Sequence, residues 1–84
     1  MYWDVASVKP VNKLTIKVSF VDGTEGLVYF KPSHLTGVFA PLADDRYFNK
    51  VYVNNGVVTW PEELDLAPDA MYAAIKKNGK WVLD

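Results

Sequence analysis

The stretch Leu14-Thr15-Ile16-Lys17-Val18-Ser19-Phe20-Val21-Asp22-Gly23 decides how the rest of the chain is read. Apolar Leu14, Ile16, Val18 and Phe20 alternate with polar Thr15, Lys17 and Ser19. Successive strand side chains point to opposite faces, so this pattern describes a strand with one face against a core and the other toward water. Asp22-Gly23 tolerates the positive φ angles of a hairpin turn, and Leu27-Val28-Tyr29-Phe30 supplies a return strand. With Asp22-Gly23 alone as the loop, Val18 faces Leu27 and Ile16 faces Tyr29, which carries the apolar face across the pair.

Working outward, residues 5–9 read as a short preceding strand that ends near Pro10, a residue unable to donate to a ladder. Downstream, Lys50-Val51-Tyr52-Val53 and Val57-Val58-Thr59-Trp60 flank Asn54-Asn55-Gly56. An Asn55-Gly56 turn sets Val53 opposite Val58 and Val51 opposite Trp60. Residues 32–49, punctuated by Pro32, Gly37 and Pro41, are an irregular segment with a helical turn or two around Ser33-His34-Leu35 and residues 44–48.

Trp60 ends its strand because Pro61 cannot continue the ladder. Pro68 suits the first position of a helix, and Asp69 lies in the first turn, where the helix dipole favours an anion. Met71, Ala74 and Ile75 form an apolar stripe over residues 68–77, and Lys76, Lys77 and Asn78-Gly79 mark its end. Ala67 is a poor N-cap, so Asp65 would have to cap from further out. The tail Trp81-Val82-Leu83 either packs back on the sheet or contacts another chain, with Trp81 or Val82 left exposed in a monomer. The expectation is one small α+β domain spanning residues 1–84: a mostly antiparallel sheet built from two hairpins plus a leading strand, a C-terminal helix and an irregular middle. Its core should hold Leu14, Ile16, Val18, Leu27, Phe39, Leu42, Phe48, Val51, Trp60, Leu66, Met71 and Ile75.

Composition narrows the function. Eighty-four residues make one core, half of them are hydrophobic, and three Trp, five Tyr and four Phe argue against disorder. Cysteine is absent, which removes disulfides, thiolate metal sites and thiol nucleophiles. No apolar run is long enough to cross a bilayer, and the N-terminal stretch lacks the plan of a signal peptide, so a cytoplasmic location away from membranes is expected. Net charge is −1 and the lysines are spread along the chain, which argues against nucleic acid as the partner.

Glu62, Glu63, Asp65 and Asp69 are the densest acids, the chemistry a hard cation or an acid/base pair would need. Neighbouring Glu62 and Glu63 point opposite ways in extended chain, however, and Asp65 and Asp69 are accounted for by the helix start. His34 is the lone histidine, with no nucleophile motif around it. Asp44-Asp45-Arg46 reads as a helix cap, and Asp22-Gly23 with Gly26 as turn residues, not a phosphate loop. The chain is therefore expected to be no enzyme and to need no metal or cofactor. The aromatics carry the functional reading: Trp81, Trp60, Tyr72, Tyr52 and Trp3 are the candidate interaction surface, with Tyr2 and Tyr47 alongside.

The motifs together resemble the small bacterial family called domain of unknown function 2442. The strand ending in Phe20-Val21-Asp22-Gly23 is similar to the family's Phe-x-Asp-Gly, and Phe39-Ala40-Pro41-Leu42 followed by Phe48 is similar to its middle. Trp60-Pro61, Asp65-Leu66, Pro68 and Met71-Tyr72 match its closing Trp-Pro-x-x-x-Asp-Leu-x-Pro-x-x-Leu-Tyr signature. Tyr29 stands where many members have Asp, and Glu62-Glu63 replaces a frequent Asn-Gly. The resemblance implies a small α+β fold. It also implies that some relatives carry an added helix-turn-helix segment, for which these 84 residues have no room, and that others are encoded beside a second small protein in the manner of toxin–antitoxin pairs. It brings no activity, cofactor or catalytic residue. The function expected is a protein-interaction module that binds a protein partner or a second copy, antitoxin-like or regulatory toward a small neighbouring protein. The alternative is a ligand-sensing or nucleic-acid-associated accessory domain.

Overall fold

Three strands open the chain: β1 (Val5–Asn12), β2 (Thr15–Phe20) and β3 (Glu25–Phe30). The structure, a computed structural model, describes residues 2–84, with the side chain of Glu63 outside that description. A 3-10 turn at Pro32–His34, a longer 3-10 stretch at Gly37–Ala43 and the single-turn helix α1 (Asp45–Phe48) make up the middle segment. The short hairpin β4 (Tyr52–Asn54) and β5 (Val57–Trp60) follows, and a turn at Pro61–Glu63 returns the chain as β6 (Leu64–Asp65). Helix α2 (Pro68–Asn78) and strand β7 (Lys80–Leu83) close it. The α+β expectation is met.

The two hairpins do not share one sheet. A four-stranded sheet has the order β1-β2-β3-β7, and a three-stranded sheet has the order β4-β5-β6. β3 and β7 run parallel, so the first sheet is mixed. A parallel neighbour needs a long crossover, and here α2 ends in Gly79 (φ 77°) and delivers the tail onto β3. The tail thus packs back on the sheet, with Val82 38% exposed.

The register of the first hairpin differs from the expected one by a residue. Ile16 pairs with Val28 and Val18 with Gly26, not with Tyr29 and Leu27. The loop is three residues, Val21 to Gly23, closed by the Phe20 N–H donating to the Thr24 carbonyl (2.8 Å) and the Gly23 N–H to that of Phe20 (3.0 Å). Asp22 accepts from the Thr24 N–H (2.9 Å) and Gly23 takes the positive φ of the third loop position. One residue of shift exchanges the faces of β3. Val28 and Phe30 are buried, and Leu27 and Tyr29 face outward, half-exposed.

At Asn55-Gly56 the loop is the two-residue one expected, with positive φ at both (52° and 80°), and Val53 faces Val58. β1 runs past Pro10 to Asn12, which an outer strand permits because one side of its backbone needs no partner. Leu14 belongs to the β1–β2 turn (φ 53°) and is half-buried, so β2 begins at Thr15. Asp65 is a strand residue paired with Thr59, and α2 starts at Pro68 after Ala67, which supplies no side-chain cap.

Both sheets share one core. Ile16, Val18, Leu42, Phe48, Trp60, Leu66, Met71 and Ile75 are buried as expected, while Leu14, Phe39 and Val51 pack on its margin. Val5, Phe20, Val28, Phe30 and Val58 join them. At the junction Phe30, Phe48 and Trp60 form an edge-on and tilted cluster with centroids 5.7 to 6.0 Å apart. The Trp60 indole N–H donates to the Phe48 carbonyl (2.9 Å), satisfying the polar atom of a fully buried ring. Helix α2 comes down on Gly26, where an added Cβ would lie 2.5 Å from the Ile75 side chain and 2.9 Å from the Gly79 carbonyl oxygen. The absence of a side chain there lets helix and strand approach.

Candidate functional site

The strand register builds the outer face of the four-stranded sheet row by row. Lys9, Lys17, Leu27 and Lys80 stand abreast on β1, β2, β3 and β7. Asn12, Thr15, Tyr29 and Val82 form the next row. Helix α2 covers the opposite face through Met71 and Ile75, so Leu27, Tyr29 and Val82 keep part of their apolar surface in water. At one end of this face lies a cleft of about 570 Å³ lined chiefly by Leu14, Tyr29, Val82, Lys13, Lys31 and Lys80. That size lies in the range of ordinary ligand clefts. Its lining includes three lysines and no acid. The Lys31 ammonium stands 3.9 Å from the Asp84 carboxylate, with both side chains mostly exposed.

Lysines that are distant in sequence are thus gathered on one face. Lys9 and Lys17 even stand directly opposite each other, a like-charge pairing that costs stability in a sheet. Sequence reasoning missed this surface because the lysines look scattered until the strands are registered. Alternate spacing of Lys17, Leu27 and Tyr29 along their strands was the available signal.

The aromatic residues singled out by sequence do not form one surface. Trp60 is fully buried and is removed from the candidates: its ring fills the junction between the sheets. Trp81 lies on the inner face of β7, half-buried against the core. Tyr52 is exposed on the three-stranded sheet, in a row with Thr59 and Asp65. Trp3 and Tyr72 are brought together by Tyr2, whose ring meets each edge-on at 4.9 and 5.0 Å. Phe20 meets Tyr72 at 5.0 Å, and the Lys76 ammonium lies 5.9 Å from the centre of that ring. The Tyr72 hydroxyl donates to the Asp22 carboxylate (2.5 Å), tying α2 to the first hairpin loop. This bond holds Asp22 below the usual carboxylate range and raises Tyr72 above the usual phenol value.

The remaining candidates stay apart. His34 meets Phe39 in a tilted contact (4.7 Å), with Nδ1 3.4 Å from the Asp84 carbonyl oxygen, and among the described residues no carboxylate is hydrogen-bonded to it to orient it for proton transfer. Asp44 caps α1 by accepting from the Arg46 N–H (2.9 Å). Glu62 occupies the turn before β6 at φ 69°, Asp65 is on β6 and Asp69 in the first turn of α2; the Glu63 side chain lies outside the described residues. Among the described residues no three His, Asp or Glu side chains converge as metal ligands. The Tyr47 hydroxyl donates to the Pro61 carbonyl, and burial, with the Glu62 charge nearby, raises its pKa. No helix among the described residues is long and apolar enough to cross a membrane.

The family described as "Protein of unknown function (DUF2442)" matches residues 5–77, from β1 nearly to the end of α2. The chain belongs to that family. No curated protein and no solved structure matches it. The match takes in both sheets except β7, so the family region holds the lysine row as far as β3 and the fully buried Trp60.

Proposed function

We propose that this DUF2442 protein is a non-enzymatic protein-interaction module whose docking surface is the uncovered face of the four-stranded sheet. The observation that carries this reading is the Lys9–Lys17 opposition beside half-exposed Leu27 and Tyr29. Among the described residues, the one acid in the groove beside these two ammonium groups is Glu25, held by the Ser19 hydroxyl (3.0 Å), so two positive charges share a single carboxylate there. An acidic partner segment relieves that repulsion, and an apolar partner side chain fills the cleft between Tyr29 and Val82. The partner that fits is a small acidic protein encoded beside it, toward which this chain acts in an antitoxin-like or regulatory way.

The test is co-expression with the neighbouring gene product. Capture should be stoichiometric, should weaken as salt rises, and should raise the melting temperature of both chains. Lys17→Glu and Tyr29→Asp should abolish it while Tyr52→Ser leaves it intact. Equal capture by all three variants would remove the surface from consideration.

A second reading rests on Lys13, Lys31 and Lys80, which line the cleft together with the Tyr29 ring. Basic side chains interleaved with an aromatic platform suit single-stranded nucleic acid. It requires retention on single-stranded DNA or RNA that falls steeply with salt and is lost in Tyr29→Ala. Retention on neither polymer leaves the protein partner as the reading.

A further inference from the structure

β7 ends its sheet, with β3 on one side and, among the described residues, no strand on the other. Its carbonyl at Leu83 accepts from the Lys31 N–H (2.8 Å), so the backbone groups of Leu83 face inward to β3. Backbone groups alternate along a strand, and those of Lys80 and Val82 therefore point outward. Such a row of donors and acceptors is a template for another strand. The other edges are blunted: β1 carries Pro10 and two register shifts, β4 has three residues and β6 two. β7 has neither proline nor bulge.

We propose that β7 pairs antiparallel with β7 of a second copy of this chain, about a two-fold axis at Val82, joining two four-stranded sheets into one of eight strands. In that register Val82 meets Val82, and Lys80 meets Asp84 of the second copy on both sides of the axis. Lys80 and Val82 turn their backbone groups outward and so offer the hydrogen bonds of the ladder. Asp84, just past β7, has its carbonyl 3.4 Å from His34 Nδ1 and its carboxylate 3.9 Å from the Lys31 ammonium, contacts it exchanges for Lys80 of the second copy. Trp81 meets Leu83 of the second copy in the closer, non-hydrogen-bonded pairs on the inner face. Both side chains are half-buried in the single chain, and an aromatic–aliphatic pairing covers what remains exposed. Val82 (38% exposed) is covered by its own symmetry mate.

Each residue of the strand thus finds a complementary partner in one register. Sliding the axis to Trp81 sets Lys80 against Val82 and leaves Asp84 without a strand partner. Sliding it to Leu83 sets Asp84 against Val82. Self-complementarity about a single axis is what a two-fold interface requires. The dimer rests on the backbone edge of β7, whereas the partner proposed above rests on Lys9, Lys17 and Tyr29; the two surfaces meet at Lys80 and Val82, which border both.

Sedimentation of the full chain across roughly 1 µM to 1 mM should show a concentration-dependent dimer. Val82→Pro removes an outward N–H and should give a monomer at every concentration, with an unchanged near-ultraviolet spectrum from buried Trp60. Lys80→Asp and Asp84→Lys should each weaken the dimer roughly tenfold, since symmetry applies each change twice. The doubly swapped chain should regain wild-type association, even if Val82→Pro fails to fold. A wild-type chain that stays monomeric, a dimer indifferent to the single swaps, or a double swap that restores nothing would overturn the proposal. Loss of the dimer with intact capture of the neighbouring protein separates the two surfaces.

Discussion

On β5 of the three-stranded sheet, Val58 and Trp60 are wholly buried and Thr59 between them, facing the other way, is 6% exposed. On β3 of the four-stranded sheet, Val28 and Phe30 are as deeply buried, but Leu27 and Tyr29 between them remain half in water. The inner faces of the two sheets are alike because both fill the same core, where volume and shape leave little choice. The outer faces differ in size and sign. One presents Tyr52, Thr59 and Asp65; the other presents Lys9, Lys17, Leu27 and Lys80. Core packing makes no demand on an outer face, so the two faces are free to differ in charge and apolar content.

The comparison breaks first at Trp60. Trp60→Ala should lower the unfolding free energy by about 3–5 kcal/mol, since it opens a cavity between the sheets and leaves the Phe48 carbonyl with only the long bond from the Val51 N–H (3.4 Å). Tyr52→Ala, on the outer face of the same sheet, should change it by no more than about 0.5 kcal/mol. Urea titrations of both variants measure the contrast, and equal losses would mean the inner and outer faces are not energetically distinct.

The four-stranded sheet has its own weak point at Gly26. Gly26→Ala drives a methyl group into Ile75 and the Gly79 carbonyl, and should cost about 1–3 kcal/mol while shifting amide resonances of α2 and β7. Resonance shifts confined to β3 would show that the helix does not rest there.

Turn chemistry sharpens the contrast further. The first hairpin meets its positive φ with Gly23, whereas the turn between β5 and β6 imposes φ 69° on Glu62. Asparagine enters that conformation more readily, so Glu62→Asn should stabilise the protein by about 0.5–1 kcal/mol in a thermal melt.

The smallest effect lies in the Tyr72–Asp22 bond at the surface. Asp22 titrates below its unfolded value, so its contribution is complete above that value and fades as pH falls through the folded one. Tyr72 titrates above its unfolded value, so its contribution is complete below that value and fades as pH rises through the folded one. Tyr72→Phe should therefore flatten both limbs of the stability–pH curve, seen as melting temperatures near pH 3 and pH 11 that fall less from the neutral value than in the wild type. An unchanged acid limb would exclude the bond from the folded-state balance.

Local patterning alone determined the α+β class, the alternation of β2, the Asn55-Gly56 turn and the start and stop of α2. Each rests on interactions within a few residues: side-chain alternation, a positive φ that Asn and Gly accept, a proline at a helix start. The register of the first hairpin escaped because Val21-Asp22-Gly23 and Asp22-Gly23 are both good loops, and only the burial of Val28 in the shared core and of Phe30 against Phe48 and Trp60 selects the longer one. The five aromatics read as one surface separated for a similar reason. An indole that fills a junction and a phenol that lines an exposed row look the same until the two sheets meet. Tertiary structure also decided the parallel place of β7 and the gathering of the lysines, since both depend on which strands become neighbours. Neighbours far apart in sequence are chosen by the shared core, and no short stretch of this chain contains that core.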